Sequence, residues 1–269
     1  MTTTNDPVER FQIPLQAAEQ YEAAFVPAFF AQWAPPLCEA AGVSPGQAVL
    51  DVGCGTGIVA RTAADLVGPE GAVTGVDLNE AMLTVARRVR PAINWRQADV
   101  AALPFPDASF DVVLSQMAMM FFADRQAALA ELRRVVRPGG AVAICVPGAL
   151  DHQPAFAPFV ATASQLLGQE AAALLTSYFT CGDRDELTDA MTRAGLTVTV
   201  SEALEGRYRA PSVDAAVTTE VESTPLAGRI SPEDHRRLRE GAREVLAPFV
   251  ASDGGLDAPF EANLVVGRR

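Results

Sequence analysis

The chain has 269 residues, a length that suits one large α/β domain or a domain with a cap, and 49% of them are hydrophobic, which excludes a disordered chain. Its formal net charge of −12 repels phosphate backbones and argues against a nucleic-acid partner. No apolar stretch approaches the roughly 20 residues that cross a bilayer, so no membrane partner is expected either.

Taken in order, residues 1–10 are polar and carry Asp6 and Glu9 where a secretory leader would have positive charge and then an apolar run. A cytoplasmic location is the expectation. Residues 15–33, rich in Ala, Glu, Gln and Phe, read as helix that Pro27 kinks or divides. Pro35 and Pro36 follow, and Ser44-Pro45-Gly46 marks a turn. Residues 48–52 are a short apolar run that suits a strand buried on both faces. The segment 53–57 breaks it with glycines, and 58–67 reads as helix ended by Gly68-Pro69. Strands are expected at 72–76, 93–97, 110–115 and 141–146. Between them lie helices at 79–90, capped by Asn79, and 124–137, closed by Pro138-Gly139-Gly140. Beyond Pro147 the rhythm loosens, with helices near 155–167, 183–194 and 232–246 and strands near 196–204 and 261–266. No fixed-period repeat interrupts the chain.

This alternation predicts a Rossmann-like, doubly wound α/β fold on a mostly parallel seven-stranded sheet. One domain is expected over 1–269, with its core at about 45–150, 182–206 and 258–269. Segments 1–45, 150–181 and 207–257 are expected to be cap additions at one end of the sheet. Cys38, Cys54, Cys145 and Cys181 form no C-x-x-C pair, so they read as reduced thiols without a metal.

The strongest chemical signal is 49–57, VLDVGCGTG, a strand running through a glycine turn into a helix. Glycines let backbone approach a ligand, and the helix start presents free N–H groups. Twenty residues after Gly57, Asp77 stands at the end of the second strand, where a carboxylate can accept both hydroxyls of a ribose. Asp99 and Ser115-Gln116 also follow strands, so all can line one crevice at the carboxyl edge. The spacing of Gly53, Gly55 and Gly57 is G-x-G-x-G rather than the dinucleotide G-x-G-x-x-G. Asp51 just before the loop repels a pyrophosphate and attracts an ammonium. These features favour S-adenosylmethionine (SAM), which carries an ammonium and a sulfonium but no phosphate, over NAD.

In these residues the chain resembles the class I SAM-dependent methyltransferases, in particular the group like the ubiquinone and menaquinone biosynthesis enzymes. The resemblance runs from 49 to 146 through VLDVGCGTG, VTGVDLNEAML, QADVAALPFPDASFDVVLS and LRRVVRPGGAVAICV. It implies that Gly53, Gly55 and Gly57 hold the methionine end of SAM, with S-adenosylhomocysteine (SAH) as product. It implies that Asp77 binds the ribose, Leu78 and Met82 pack near the adenine, Asp99 takes the adenine amine and Val100 offers backbone. Gln116 would border the methionine moiety and Tyr21 would close over it. Many relatives carry a His pair after the fourth strand; here 116–122 reads QMAMMFF, an apolar rim that suggests an apolar acceptor.

Methyl transfer from a sulfonium is an in-line displacement that chiefly needs alignment, and a base only where the acceptor must lose a proton. His152, just past the fifth strand, is the candidate catalytic base; His235 falls in a surface helix. Tyr178 and Tyr208 lie in the segments that should build the pocket for a small-molecule acceptor. Arg236, Arg237 and Arg239 read as a solvated helix face. Two alternatives stand beside methyl transfer: an NAD-linked oxidoreductase and a SAM-binding protein that does not methylate. The acceptor and the choice of O, N or C methylation are open. So is the oligomeric state, for which a homodimer is one candidate.

Overall fold

The computed structural model describes residues 11–269; the polar start at 1–10 lies outside them. Seven strands form one sheet in the order β3-β2-β1-β4-β5-β7-β6. Strand β1 (Ala48–Val52) pairs parallel with β2 (Ala72–Asp77) on one side and β4 (Phe110–Gln116) on the other. Strand β3 (Asn94–Gln97) extends the sheet beyond β2, and β5 (Val136–Pro147) lies parallel beside β4. Strand β7 (Leu256–Arg268) runs antiparallel between β5 and β6 (Thr197–Ala210). The doubly wound, mostly parallel sheet expected from the alternation is therefore present. Strand order reverses between β1 and β4, and at that point the carboxyl ends of the strands open a crevice.

The central strands are buried because Val49, Leu50, Val113, Leu114, Val142 and Ile144 face helices on both sides. Helix α1 (Leu15–Gln20) leads into a wider π-helical stretch, Tyr21–Phe30, which contains Pro27, and a short 3-10 turn at Ala31–Trp33. Pro27 thus modifies the helix, as its missing N–H requires, without stopping it. Pro35 and Pro36 do not end the helical run. They fall in the first turn of α2 (Ala34–Ala41), where N–H groups have no intrahelical acceptor. Helix α3 (Ile58–Val67) follows the glycine turn, and α4 (Glu80–Val89) is capped by Asn79, whose side chain accepts from Ala81 N at 2.8 Å.

Helix α5 (Arg125–Val135) is capped by Asp124 and ends two residues before the position expected. Chain from Val136 is already extended, and the register jumps from Phe110↔Val136 to Val112↔Ala141. Pro138-Gly139-Gly140 is therefore a turn bulged out of the β4–β5 ladder rather than a helix stop. After β5 come α6 (Phe156–Leu167), α7 (Gln169–Ser177) and α8 (Arg184–Arg193), and after β6 come α9 (Val213–Glu222) and α10 (Pro232–Val245). Helix α6 packs on α7 and α10, and α10 packs on α9. Helices α7 and α9 were not expected from the sequence pattern. No helix of the described residues is long and apolar enough to cross a membrane.

Trp95 on β3 packs across β2 against the back of the glycine turn. Its indole N–H donates to Arg90 O at 3.0 Å, and a Cβ on Gly75 of β2 would stand 2.3 Å from its ring. Gly75→Ala forces the ring out of place and lowers stability by about 1–3 kcal/mol in urea denaturation.

Candidate functional site

The loop after β1 is tied to the neighbouring strand by backbone alone. Gly53 N and Cys54 N both donate to Val76 O, at 2.9 and 3.0 Å. Gly57 has φ +94°, a left-handed conformation that glycine adopts without strain, and a Cβ there would meet the Trp95 ring at 2.3 Å. The sequence fits the turn for that reason. Gly57 shapes the loop from behind and does not line the cavity, unlike Gly53 and Gly55.

Asp77 closes the loop. Its Oδ2 accepts from Gly55 N at 2.8 Å and its Oδ1 from Asn79 N at 2.8 Å. One carboxylate thus fixes both the glycine turn and the start of α4. Burial raises its pKa, and the N–H groups of Asn79, Gly55 and Leu78 pull the other way. Asp51 is buried beneath the start of α3, where its Oδ2 accepts from Ala60 N at 2.9 Å. Burial pushes the Asp51 carboxyl up to about 7, against the pull of the Ala60 N–H.

Further groups converge on this end. Gln116, at the end of β4, donates from Nε2 to Phe30 O at 3.0 Å, and its buried Oε1 has no hydrogen-bond partner. The Tyr21 ring stands over Gly55, where an added Cβ would lie 3.9 Å from the hydroxyl. Burial and the nearby Asp77 raise the Tyr21 pKa, so the phenol stays protonated. Leu78, Met82, Asp99 and Val100 line the same cavity. Asp99 also caps the turn at Val100–Ala102 by accepting from Ala101 N at 2.9 Å.

The cavity, of about 170 Å3, does not stop at the loop. It continues into an aromatic chamber that includes Phe25, Phe30, Phe121, Phe156, Phe179 and Phe260. Met117 and Met120 of the 116–122 segment reach it, as the apolar rim suggested. Tyr178 lines the chamber and donates its hydroxyl to Glu220 Oε1 at 2.9 Å. Glu220, on α9, is 1% exposed, and its Oε2 has no hydrogen-bond partner. Burial pushes its carboxyl up to about 7, against the pull of the Tyr178 hydroxyl.

Of the expected site residues, Tyr21, Asp51, Gly53, Gly55, Asp77, Leu78, Met82, Asp99, Val100 and Gln116 come together around one cavity. His152 does not. Its ring is exposed outside the cavity lining, and its Nδ1 bonds Glu261 Oε1 at 3.0 Å. That partner raises its pKa, and the ring sits on the surface rather than in the cavity wall, which does not favour the role of base expected for it. His235 also lies outside the cavity lining. Tyr208 is buried and donates to Ala216 O at 3.1 Å instead of lining the main cavity. Arg236 is taken up by Glu233 and Glu240, and Arg237 by Asp234.

Glu220 escaped the sequence reading, although a signal exists. It stands three and four residues after Val217 and Ala216 within 213–222, so it shares their apolar helix face. An acid on such a face marks a buried group.

Residues 50–144 match the family of methyltransferase domains. The ubiquinone/menaquinone biosynthesis C-methyltransferase of Shewanella piezotolerans is 37% identical over 118 residues, 42% of this chain and 47% of that protein. The demethylmenaquinone methyltransferase of Tropheryma whipplei is 39% identical over 118 residues, 43% of this chain and 48% of that protein. The match to this chain thus spans about half the length of these curated relatives. Among solved structures, Haemonchus contortus phosphoethanolamine N-methyltransferase 2, in complex with phosphomonomethylethanolamine and SAH, shares the fold at a TM-score of 0.60. That likeness is at 20% identity and covers 94% of this chain and 56% of that one.

Two buried acids with raised pKa values set a pH dependence of stability. Glu220 binds a proton more tightly folded than unfolded, so its stabilising protonation is complete below about pH 4 and is lost as pH rises through about 7. Glu220→Gln removes that loss. Chemical denaturation at pH 4 and pH 8 should show the variant gaining on the wild type by on the order of 3 kcal/mol across the interval.

Proposed function

Starting from a chain that carries a class I SAM-dependent methyltransferase domain, with SAM as its cofactor, we propose that the protein methylates a small, largely apolar molecule held in the aromatic chamber. The observation that carries this reading is the continuity of the cavity, polar at the glycine loop and aromatic beyond it. SAM supplies a methyl group already activated by its sulfonium charge. The chain's own residues then have three tasks: to hold the donor, to align the acceptor and to keep water out.

The donor set fits SAM. A carboxylate has about four lone-pair sites, and the N–H groups of Gly55 and Asn79 use two of those on Asp77, which leaves capacity for a pair of ribose hydroxyls. Near the loop, Asp51 and the unpartnered Oε1 of Gln116 are acceptors for an ammonium. Asp99 and the Val100 backbone suit an adenine edge, with Leu78 and Met82 against the ring. Tyr21 covers the loop. Gly53 and Gly55 leave room for close approach, and a side chain at Gly55 would fill the space beneath Tyr21. Among the described residues the loop end of the cavity carries three acids and no Lys or Arg, a charge balance that disfavours a pyrophosphate.

Residues 1–45, 150–181 and 207–257 act in this reading as the acceptor cap on the core at about 45–150, 182–206 and 258–269. Phe156, Tyr178 and Phe179 from the second segment and Glu220 from the third support that role. Ring walls offer apolar area and edge-to-face contacts, as between Phe156 and Phe260 with centroids 5.5 Å apart. An acceptor with little charge and a flat or compact apolar body suits such walls.

Thermal melting tests the cofactor site directly. SAM at a hundredfold excess over its Kd stabilises the protein by about 2.7 kcal/mol, a rise in Tm of roughly 5–10 °C. SAH does the same and NAD does not; Asp77→Ala abolishes the shift. A shift with NAD and none with SAM would overturn the reading. Binding is also expected to release a proton near neutral pH. An ammonium beside Asp51 favours its charged form and draws its pKa down from about 7. Calorimetry in buffers of different ionisation enthalpy should report that proton, and Asp51→Asn should remove it.

A further inference from the structure

The cavity is lined by four acids, and three of them belong to its loop end: Asp51, Asp77 and Asp99. Glu220 stands alone at the chamber end. It lies more than nine-tenths buried in the chamber wall, bonded through Oε1 to Tyr178 and without a hydrogen-bond partner at Oε2. A buried polar atom without a partner costs free energy. Thr224, which lines the cavity too, donates its hydroxyl to Glu220 O at 2.6 Å, so the last turn of α9 is anchored at this residue.

We propose that Glu220 is the catalytic base of the reaction, taking the proton of a hydroxyl group on the methyl acceptor, and that Tyr178 is the residue that positions it. The proposal rests on the methyltransferase reading above and names the substrate class: an apolar molecule presenting one weakly acidic O–H. The acceptor O–H bond breaks and its proton passes to Glu220 Oε2, giving a neutral carboxylic acid. An oxygen lone pair forms the new O–C bond to the methyl carbon while the C–S bond breaks, its electron pair staying on sulfur. The products are a methyl ether and SAH, and Glu220 returns its proton to water when the site opens.

The chamber favours a hydroxyl over an amine. An alkylamine enters protonated at neutral pH, and the sulfonium already puts one cation in this cavity; a second would be repelled there more strongly than in water. A hydroxyl enters neutral and gains charge only as its proton leaves for Glu220. A basic group with a pKa near the working pH is the effective choice for such a transfer, and burial brings the Glu220 carboxyl there.

The groups around Glu220 leave it in control of its own titration. Tyr178 from the end of α7 bonds it, and Tyr208 of β6 feels its charge. On α10, Arg243 pairs with Asp214, while His235 responds to Arg239 and Glu222. Glu22 of the π-helical stretch pairs with Arg61, and Glu19 of α1 with Arg88.

The test uses the full chain with α-naphthol as acceptor probe, and 1-naphthylmethylamine and naphthalene as controls. Calorimetry with SAH comes first. Wild type, Glu220→Gln and Tyr178→Phe should all bind it with the same affinity; failure of the wild type to bind SAH would sink the methyltransferase reading itself, not the role of Glu220. The SAH-loaded wild type should bind α-naphthol more tightly than naphthalene, and Glu220→Gln should erase that preference. With methyl-labelled SAM, the wild type methylates the naphthol oxygen, and Glu220→Gln lowers kcat about 100-fold or more. Tyr178→Phe moves the acid limb of kcat to higher pH, because the Tyr178 hydroxyl holds the Glu220 carboxyl down. The proposal is overturned by wild-type turnover in Glu220→Gln, by an unmoved acid limb in Tyr178→Phe, by methylation of the amine or of ring carbon, or by no preference for naphthol over naphthalene.

Discussion

The site depends on one carboxylate shared by two pieces of chain. Asp77 ends β2 and accepts from the backbone of Gly55 and of Asn79, so the glycine turn and the first turn of α4 are set by the same group. A buried carboxylate is costly unless hydrogen-bonded, and these donors supply the compensation while leaving lone pairs facing the cavity. Asn79 carries the order outward. Its Nδ2 donates to Ile13 O at 3.1 Å, which fastens the segment before α1 across the crevice. Phe11 and Gln12 line the cavity from that segment, and Tyr21 follows one helix later. The covering of the site is thus fixed by the same corner that shapes its floor.

From that corner the cavity changes character along its length. Burial raises the pKa of both Asp51 and Asp77 at the loop end. A cationic ligand there reverses the balance, since its charge favours the ionised forms. The chamber end is built of rings and two thioethers, with Tyr178 and Glu220 as its polar corner. In the proposed methyl transfer, whose donor is already activated, this division would give binding to one end and orientation to the other.

The portion of this design that could be read from sequence is the portion made of contiguous chain. Residues 48–57 announce themselves because a parallel strand buried on both faces must be apolar throughout, and because the tight turn after it needs glycine where φ is positive. Asp77 is legible from its place at the end of the next strand. Helix α2 is not legible because its first turn holds Pro35 and Pro36, which proline tolerance there allows but no helical pattern announces. Pro138-Gly139-Gly140 misleads because a turn bulged from a strand uses the same residues as a helix stop. Glu220 and Tyr178 are 42 residues apart, and their meeting is decided by how α7 and α9 pack, which no local pattern records. His152 shows the converse: it follows β5 as expected, yet its ring leaves the cavity for Glu261 on β7.

A crystal structure of the chain with SAH tests the central claim most directly. The account predicts both ribose hydroxyls within about 3 Å of the Asp77 carboxylate, with the homocysteine sulfur facing the chamber that ends at Tyr178 and Glu220. Density for the nucleoside elsewhere, or an Asp77 side chain turned away from it, would contradict the account.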